Sequence, residues 1–149
     1  MRVLACLAAL ACTTAVALAQ DNSAPMMFVP SWEVQPSAAE IIRHYPAHAL
    51  HQNISGIAVL CCAPNSDRSV ACTVNSEYPA GEGFGDASVQ ASHGYRLARQ
   101  SHDDLVERPG TQVRLSMLWT GAVIMPATLD DLRRRDRETM EACLTPAQR

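Results

Sequence analysis

The sequence contains no lysine: all 12 basic residues among its 149 are arginine. Against 15 acidic residues they leave a formal net charge of −3. A chain with no surplus of positive charge and no dominant basic face is not built to hold a polyanion, so nucleic acid is excluded as the expected partner. Cysteine pairs at C-x2-C spacing are also missing, which removes the usual basis for a tetrahedral zinc site. Length for a second domain is lacking too, because a leader of 19 residues would leave 149 − 19 = 130, enough for one modest core.

What is present begins at the N-terminus. Met1-Arg2 precedes an uncharged run from Val3 to Ala19, which ends in Ala17-Leu18-Ala19 and turns polar at Gln20-Asp21-Asn22. That layout predicts a cleavable secretory signal over 1–19 and export to the periplasm. A retained inner-membrane anchor and lipidation at Cys12 are the competing readings. Cleavage would leave Cys61, Cys62, Cys72 and Cys143, which in an oxidising compartment are disulfide candidates.

Residues 20–36 read as an extended lead-in punctuated by Pro25, Pro30 and Pro36. Ser37 is placed to cap a helix over Ala38 to His44, stopped by Tyr45-Pro46, with a second helical turn through Ala49 and His51. Ile57 to Ala63 reads as a strand, and the turn formers Pro64-Asn65-Ser66-Asp67 lead into a second one. There Val70, Cys72 and Val74 alternate with Ser69, Thr73 and Asn75. After the glycine-rich 79–85, the residues Ala87, Ala91, Tyr95 and Ala98 recur at helical spacing, with Asp86 suited to the helix start and Gly94 weakening it. Thr111, Val113, Leu115, Met117 and Trp119 then alternate with Gln112, Arg114 and Ser116 as a strand. Thr128 caps a last helix, Leu129 to Leu144, whose arginines and acids predict a solvated, salt-bridged face. Helix, strand, strand, helix, strand and a further helix predict an α+β fold with a three-stranded antiparallel sheet covered by helices. Such a sheet leaves edges able to pair with another chain.

Several residue sets carry chemistry in other contexts. Gly81-x-Gly83-x-Gly85 lies between a strand and a helix, but the strand belongs to a hairpin and not to a parallel nucleotide-binding unit. His44, His48 and His51 are interrupted by Pro46 and lack a carboxylate to complete a metal set. Ser101-His102-Asp103-Asp104 holds triad letters as sequence neighbours, whereas working triads assemble from distant elements. Asn53-Ile54-Ser55 is a glycosylation sequon without meaning in a typical bacterial periplasm. No catalytic residue, cofactor or metal is expected, and the chain reads as a binding module and not as an enzyme.

Trp32, Pro36, Tyr45-Pro46, Ala49, Gly56, Ala58, Leu60 and Cys62 are followed by Cys72, Val74, Ser76-Glu77, Pro79, Gly81, Gly83-Phe84-Gly85 and Ala87. In this order they resemble the TonB C-terminal domain family, in the variant with a cysteine on each hairpin strand. The most specific part is Ser-Glu-x-Pro-x-Gly-x-Gly-Phe-Gly-x-Ala over 76–87, and the resemblance runs from Trp32 to Trp119. It implies a TonB C-terminal-like fold over 37–121, a sheet of three strands against two helices, with 122–149 as an appended helical extension. It also implies a periplasmic protein that grips a peptide or protein partner, in the family a TonB-dependent outer-membrane receptor, in a role accessory to transport. Family members engage such peptides at a sheet edge, where backbone hydrogen bonds give affinity and alternate side chains give selectivity. The implied partner strand comprises Thr111, Gln112, Val113, Arg114, Leu115, Ser116 and Met117.

The chain departs from energy-transducing members, which have a membrane-spanning N-terminal helix and a long proline-rich spacer. Its lead-in of about a dozen residues would reach ~40 Å, so force transmission is not part of the expectation. The usual hairpin-turn glycine is also replaced near Asp67-Arg68. The family pattern directs Ala58, Leu60 and Cys62 inward, which implies a Cys62–Cys72 bridge worth ~2–3 kcal/mol. A one-residue slip would hand that role to Cys61. Cys143 is left to Cys61 or to a second chain. A dimer through Cys143, in a disulfide-stabilised structural or assembly protein of the envelope, is the alternative function.

Overall fold

A computed structural model describes residues 29–108, 110–121, 126–139 and 143. The leader, Cys12 and most of the 140–149 tail lie outside the described residues. No helix among the described residues is long and apolar enough to cross a membrane.

The lead-in is tied down at its end. Strand β1 (Trp32–Val34) pairs antiparallel with β4 (Arg96–Leu97). The contact continues through the Ala98 amide, which donates to the Ser31 carbonyl at 2.9 Å, and the Ser31 amide, which donates to Ser101 Oγ at 2.9 Å. Trp32 meets Tyr95 edge-on with ring centres 4.9 Å apart. Ser37 then starts α1 (Ala38–Ile42) with a capping box: the Glu40 amide donates to Ser37 Oγ, and Glu40 Oε2 accepts from the Ser37 amide at 2.8 Å. The helix was expected to reach His44. It ends at Ile42, because Tyr45 precedes Pro46 and is held out of the helical region, so the last amides tighten to three-residue bonds. Pro46 caps α2 (Ala47–His51).

The main sheet has the order β3-β2-β5, all antiparallel, with β2 (Gly56–Pro64) in the centre, β3 (Val70–Tyr78) on one edge and β5 (Val113–Trp119) on the other. The fold is therefore α+β on a three-stranded antiparallel sheet, as its alternation patterns suggested. The β2–β3 turn keeps a left-handed residue without glycine: Arg68 takes φ 68°. Its carbonyl accepts from Leu97 and its guanidinium pairs with Glu33, so the turn also fastens the small sheet to the large one. Asp67 Oδ1 accepts from the amide and hydroxyl of Ser69, which closes the turn locally.

The register between β2 and β3 shifts at Val59/Leu60, where Ser76 and Val74 are successive partners and Asn75 is the extra residue. Such a bulge exchanges the faces of the residues beyond it. Val70, Cys72 and Val74 thus share the inner face with Pro64, Cys62 and Leu60, while Glu77 joins the inner face and Tyr78 the outer one. Val74 lies near the sheet edge and stays exposed, unlike Val70.

Helix α3 (Phe84–Ser92) packs on the inner face. It was expected to continue to Ala98, but it stops at Ser92 and the chain leaves through Gly94 into β4. A Cβ at Gly94 would come within 3.0 Å of the Pro36 ring, so glycine lets the lead-in close over this corner. Helix α4 (Arg99–Val106) follows, a segment expected only as polar loop; it buries Ser101 and Leu105. The core gathers Tyr45, Ala58, Leu60, Cys62, Phe84, Leu97, Leu105, Val113, Leu115 and Trp119. Trp119 donates to Ser88 Oγ at 2.8 Å inside it, and the Tyr45 hydroxyl donates to the Ile54 carbonyl at 2.7 Å.

The outer face is covered too. Helix α5 (Pro126–Glu138) begins earlier than Thr128 suggested, with proline in the first turn, where its missing amide costs nothing. It lies against β2, and Ile57, Val59 and Cys61 are buried along with Leu132. The helix carries the expected ion pairs, Arg133–Asp130, Arg134–Asp131, Arg134–Glu138 and Arg135–Asp131.

Candidate partner-binding edge

The four described cysteines form two bridges, Cys62–Cys72 and Cys61–Cys143. Because side chains alternate along a strand, the adjacent Cys61 and Cys62 point to opposite faces of β2. Cys62 bonds across the hairpin on the inner face, where the register sets it directly opposite Cys72. Cys61 bonds on the outer face to Cys143, beyond the end of α5. With Cys143 taken inside the chain, a dimer bridge at this position would have to form by exchange.

The glycine-rich segment is organised by Glu77. Brought to the inner face by the bulge, its Oε1 accepts from the Gly81 amide at 2.7 Å and its Oε2 from the Gly85 amide at 2.6 Å. Gly85 is the second residue of α3, so this carboxylate occupies the end of the helix where an anion is favoured. The glycines serve packing: a Cβ at Gly85 would lie 2.8 Å from Val74, Gly83 has φ 83°, and a Cβ at Gly56 would lie 2.3 Å from the Phe84 ring. The Ser-Glu-x-Pro-x-Gly-x-Gly-Phe-Gly segment is therefore a carboxylate-capped turn that seats Phe84 in the core.

The histidines are dispersed. His48 Nδ1 lies 2.8 Å from Glu82 Oε2 on the surface, and His44 sits beyond the end of α1. No group of three or more His, Cys, Asp or Glu able to hold a metal occurs among the described residues. Ser101 Oγ accepts from the Ser31 amide, while His102 bridges Asp103 Oδ1 at 3.2 Å and the Asn65 carbonyl at 3.0 Å. These contacts tie α4 to the lead-in and to the hairpin turn. In the sequon, Ser55 Oγ accepts from the Gly121 amide, and the Asn53 side chain packs where a Cβ on Gly121 would sit.

The expected partner strand lies at a sheet edge. β5 has one strand neighbour, β2, and its far side has no strand partner among the described residues. Val113, Leu115 and Met117 point into the core, and Thr111 and Gln112 precede the strand half-buried. Arg114 and Ser116 face outward as expected, but under α5. The Arg114 guanidinium donates to the Asp136 carboxylate at 2.5 Å, to the Asp136 carbonyl at 2.7 Å, and to the carbonyl and hydroxyl of Thr139 at 3.2 and 3.1 Å. Ser116 Oγ is buried with no hydrogen-bond partner among the described residues. The outward residue left uncovered is Leu118, 42% exposed.

Compared with known proteins, the chain matches no family model, no curated protein and no solved structure.

Proposed function

We propose that this chain is an exported, periplasmic binding module of TonB C-terminal type that accepts a peptide by strand addition along β5. The observation that carries the reading is that, among the described residues, no strand pairs with the far side of β5. An edge with unpaired amides and carbonyls is a template for another extended chain. The residues Glu77, Gly83-Phe84-Gly85, Cys62 and Cys72 support the family assignment, since each has a structural task in seating α3 or the hairpin. The partner in this reading is the periplasmic peptide of a TonB-dependent outer-membrane receptor, and the role is accessory to transport and not enzymatic. With Arg114 and Ser116 beneath α5, backbone pairing supplies most of the affinity, and Gln112 and Leu118 supply the side-chain contacts.

The test is crosslinking in intact cells with a photoreactive residue at Gln112 or Leu118, and at Asn75 on the opposite edge as control. Capture of an outer-membrane receptor from 112 or 118 and not from 75 is the expected result. Equal capture from both edges, or none from β5, would refute the reading. The mass of the secreted protein, measured alongside, tests cleavage after Ala19.

A further inference from the structure

We infer that α5 is a redox-releasable cover over the outer face of the sheet, held shut by the Cys61–Cys143 bridge. The inference does not depend on the edge-binding reading.

The cover is poorly made as a packed interface. Eight of the 13 residues of α5 are charged, and its large apolar residues are Leu129 and Leu132, of which Leu132 is fully buried. A pocket of about 130 Å³, half open to solvent, lies between helix and sheet, lined by Ile57, Val59, Ser76, Tyr78, Arg135 and Thr139. Along that stretch the helix and the strands do not close on each other. Ser116, opposite Val59 on the same face, buries a hydroxyl without a partner among the described residues. Against these defects stand three ties: Arg135 stacked 3.6 Å over the Tyr78 ring, Arg114 clasping Asp136 and Thr139, and the disulfide. The first two are polar contacts that water can replace. The disulfide is the tie that water cannot replace.

The two bridges differ in their support. Each joins one buried cysteine to a partly exposed one, Cys62 to Cys72 and Cys61 to Cys143, so the difference lies in what else holds the pair: strand register keeps Cys62 directly opposite Cys72, whereas Cys143 is carried by the charged helix. A thiolate of an external dithiol can attack Cys143 Sγ; the Cys61–Cys143 bond breaks and its electron pair goes to Cys61 Sγ. The second thiolate of the dithiol then displaces Cys143 from the mixed disulfide, leaving two protein thiols and one oxidised dithiol. The Cys62–Cys72 bridge, whose sulfurs the strand register holds together, re-closes faster than it is opened and stays oxidised. With its covalent tie cut, α5 lifts, Ile57 and Val59 become accessible, and Arg114 loses its acceptors.

The experiment uses the full exported chain under a mild dithiol, with thiol trapping and hydrogen exchange read together. Cys61 and Cys143 are expected to become alkylatable while Cys62–Cys72 stays oxidised. Exchange in α5 is expected to speed by roughly tenfold or more, while α3 and the strands of the main sheet keep their protection. A Cys61→Ser/Cys143→Ser double variant should show the same pattern without reductant, and re-oxidation of the wild type should restore protection. The inference is overturned if α5 keeps its protection after the bridge is cut, if both bridges reduce together, or if the whole domain loses protection at once.

Discussion

Strand β2 is buried on both faces, yet the two faces are held by different means. The inner face presses Ala58, Leu60 and Cys62, all fully buried, against an aromatic cluster of Tyr45, Phe84 and Trp119 whose ring centres lie 5.6 to 6.3 Å apart. Its polar groups are matched: Trp119 finds Ser88, Tyr45 finds Ile54, and Glu77 finds two amides of the α3 turn. The outer face is shut by a charged helix with one fully buried leucine, a half-open pocket and a hydroxyl without a partner among the described residues. Close packing makes a face that stands by itself; charge and a covalent tie make one that can be undone.

The largest effect expected from this contrast is on the inner face. Phe84→Ala should cost about 3–5 kcal/mol in a denaturant titration, since the ring is fully enclosed and Gly56 was shaped around it. A loss below about 1 kcal/mol would mean that the inner face is no better packed than the outer one. Next, Arg114→Ala should cost about 2 kcal/mol by leaving Asp136 and Thr139 without their donor. The loss should appear as faster exchange in α5, with little change in α3.

A smaller effect, about 1 kcal/mol, is expected of Tyr45→Phe, which deletes the bond to the Ile54 carbonyl. The same hydroxyl gives a pH signature. Burial raises the Tyr45 pKa above its ordinary 10.0, and burial does the same to Tyr95. A raised folded-state value means that the stability these groups contribute is complete below the ordinary tyrosine range and is lost as pH rises through it. Alkaline titration of wild type against Tyr45→Phe should show a shallower loss in the variant; identical curves would assign the alkaline sensitivity elsewhere. The smallest change is Ser116→Ala, expected to be neutral or to stabilise by about 0.5 kcal/mol because it removes an unmatched polar group. A clear destabilisation would show that the hydroxyl is bonded after all.

Much of this arrangement was legible in the residues. Alternation through 113–119, the turn formers at 64–67 and the Ser37–Glu40 box gave the main sheet and the first cap. Elements too short for a period were not legible: β1 and β4, of three and two residues, exist because each finds the other across the fold. Helix α4 escaped notice because it offers one large buried apolar residue, Leu105, among charges, and Ala98 gives it no side-chain cap. The bulge at Asn75 was hidden as well, and with it the inward turn of Glu77; the α3 cap therefore looked like a bare glycine loop. One signal was available and unused. Ile57 to Ala63 is apolar at every position, a pattern that demands cover on both sides of a strand. It pointed to α5 as part of the domain, and hence to Arg114 and Ser116 as residues beneath a helix and not on an open surface.

The cysteine doublet on β2 has a consequence for how the chain matures. A strand displaced by a single position would set Cys61 alongside Cys72 and leave Cys62 on the side from which Cys143 approaches. The mispaired isomer would carry Ile57 and Val59 into a space shaped for Ala58 and Leu60. The two pairings, Cys62–Cys72 and Cys61–Cys143, are therefore compatible with one alignment of the hairpin and not with its one-residue neighbour.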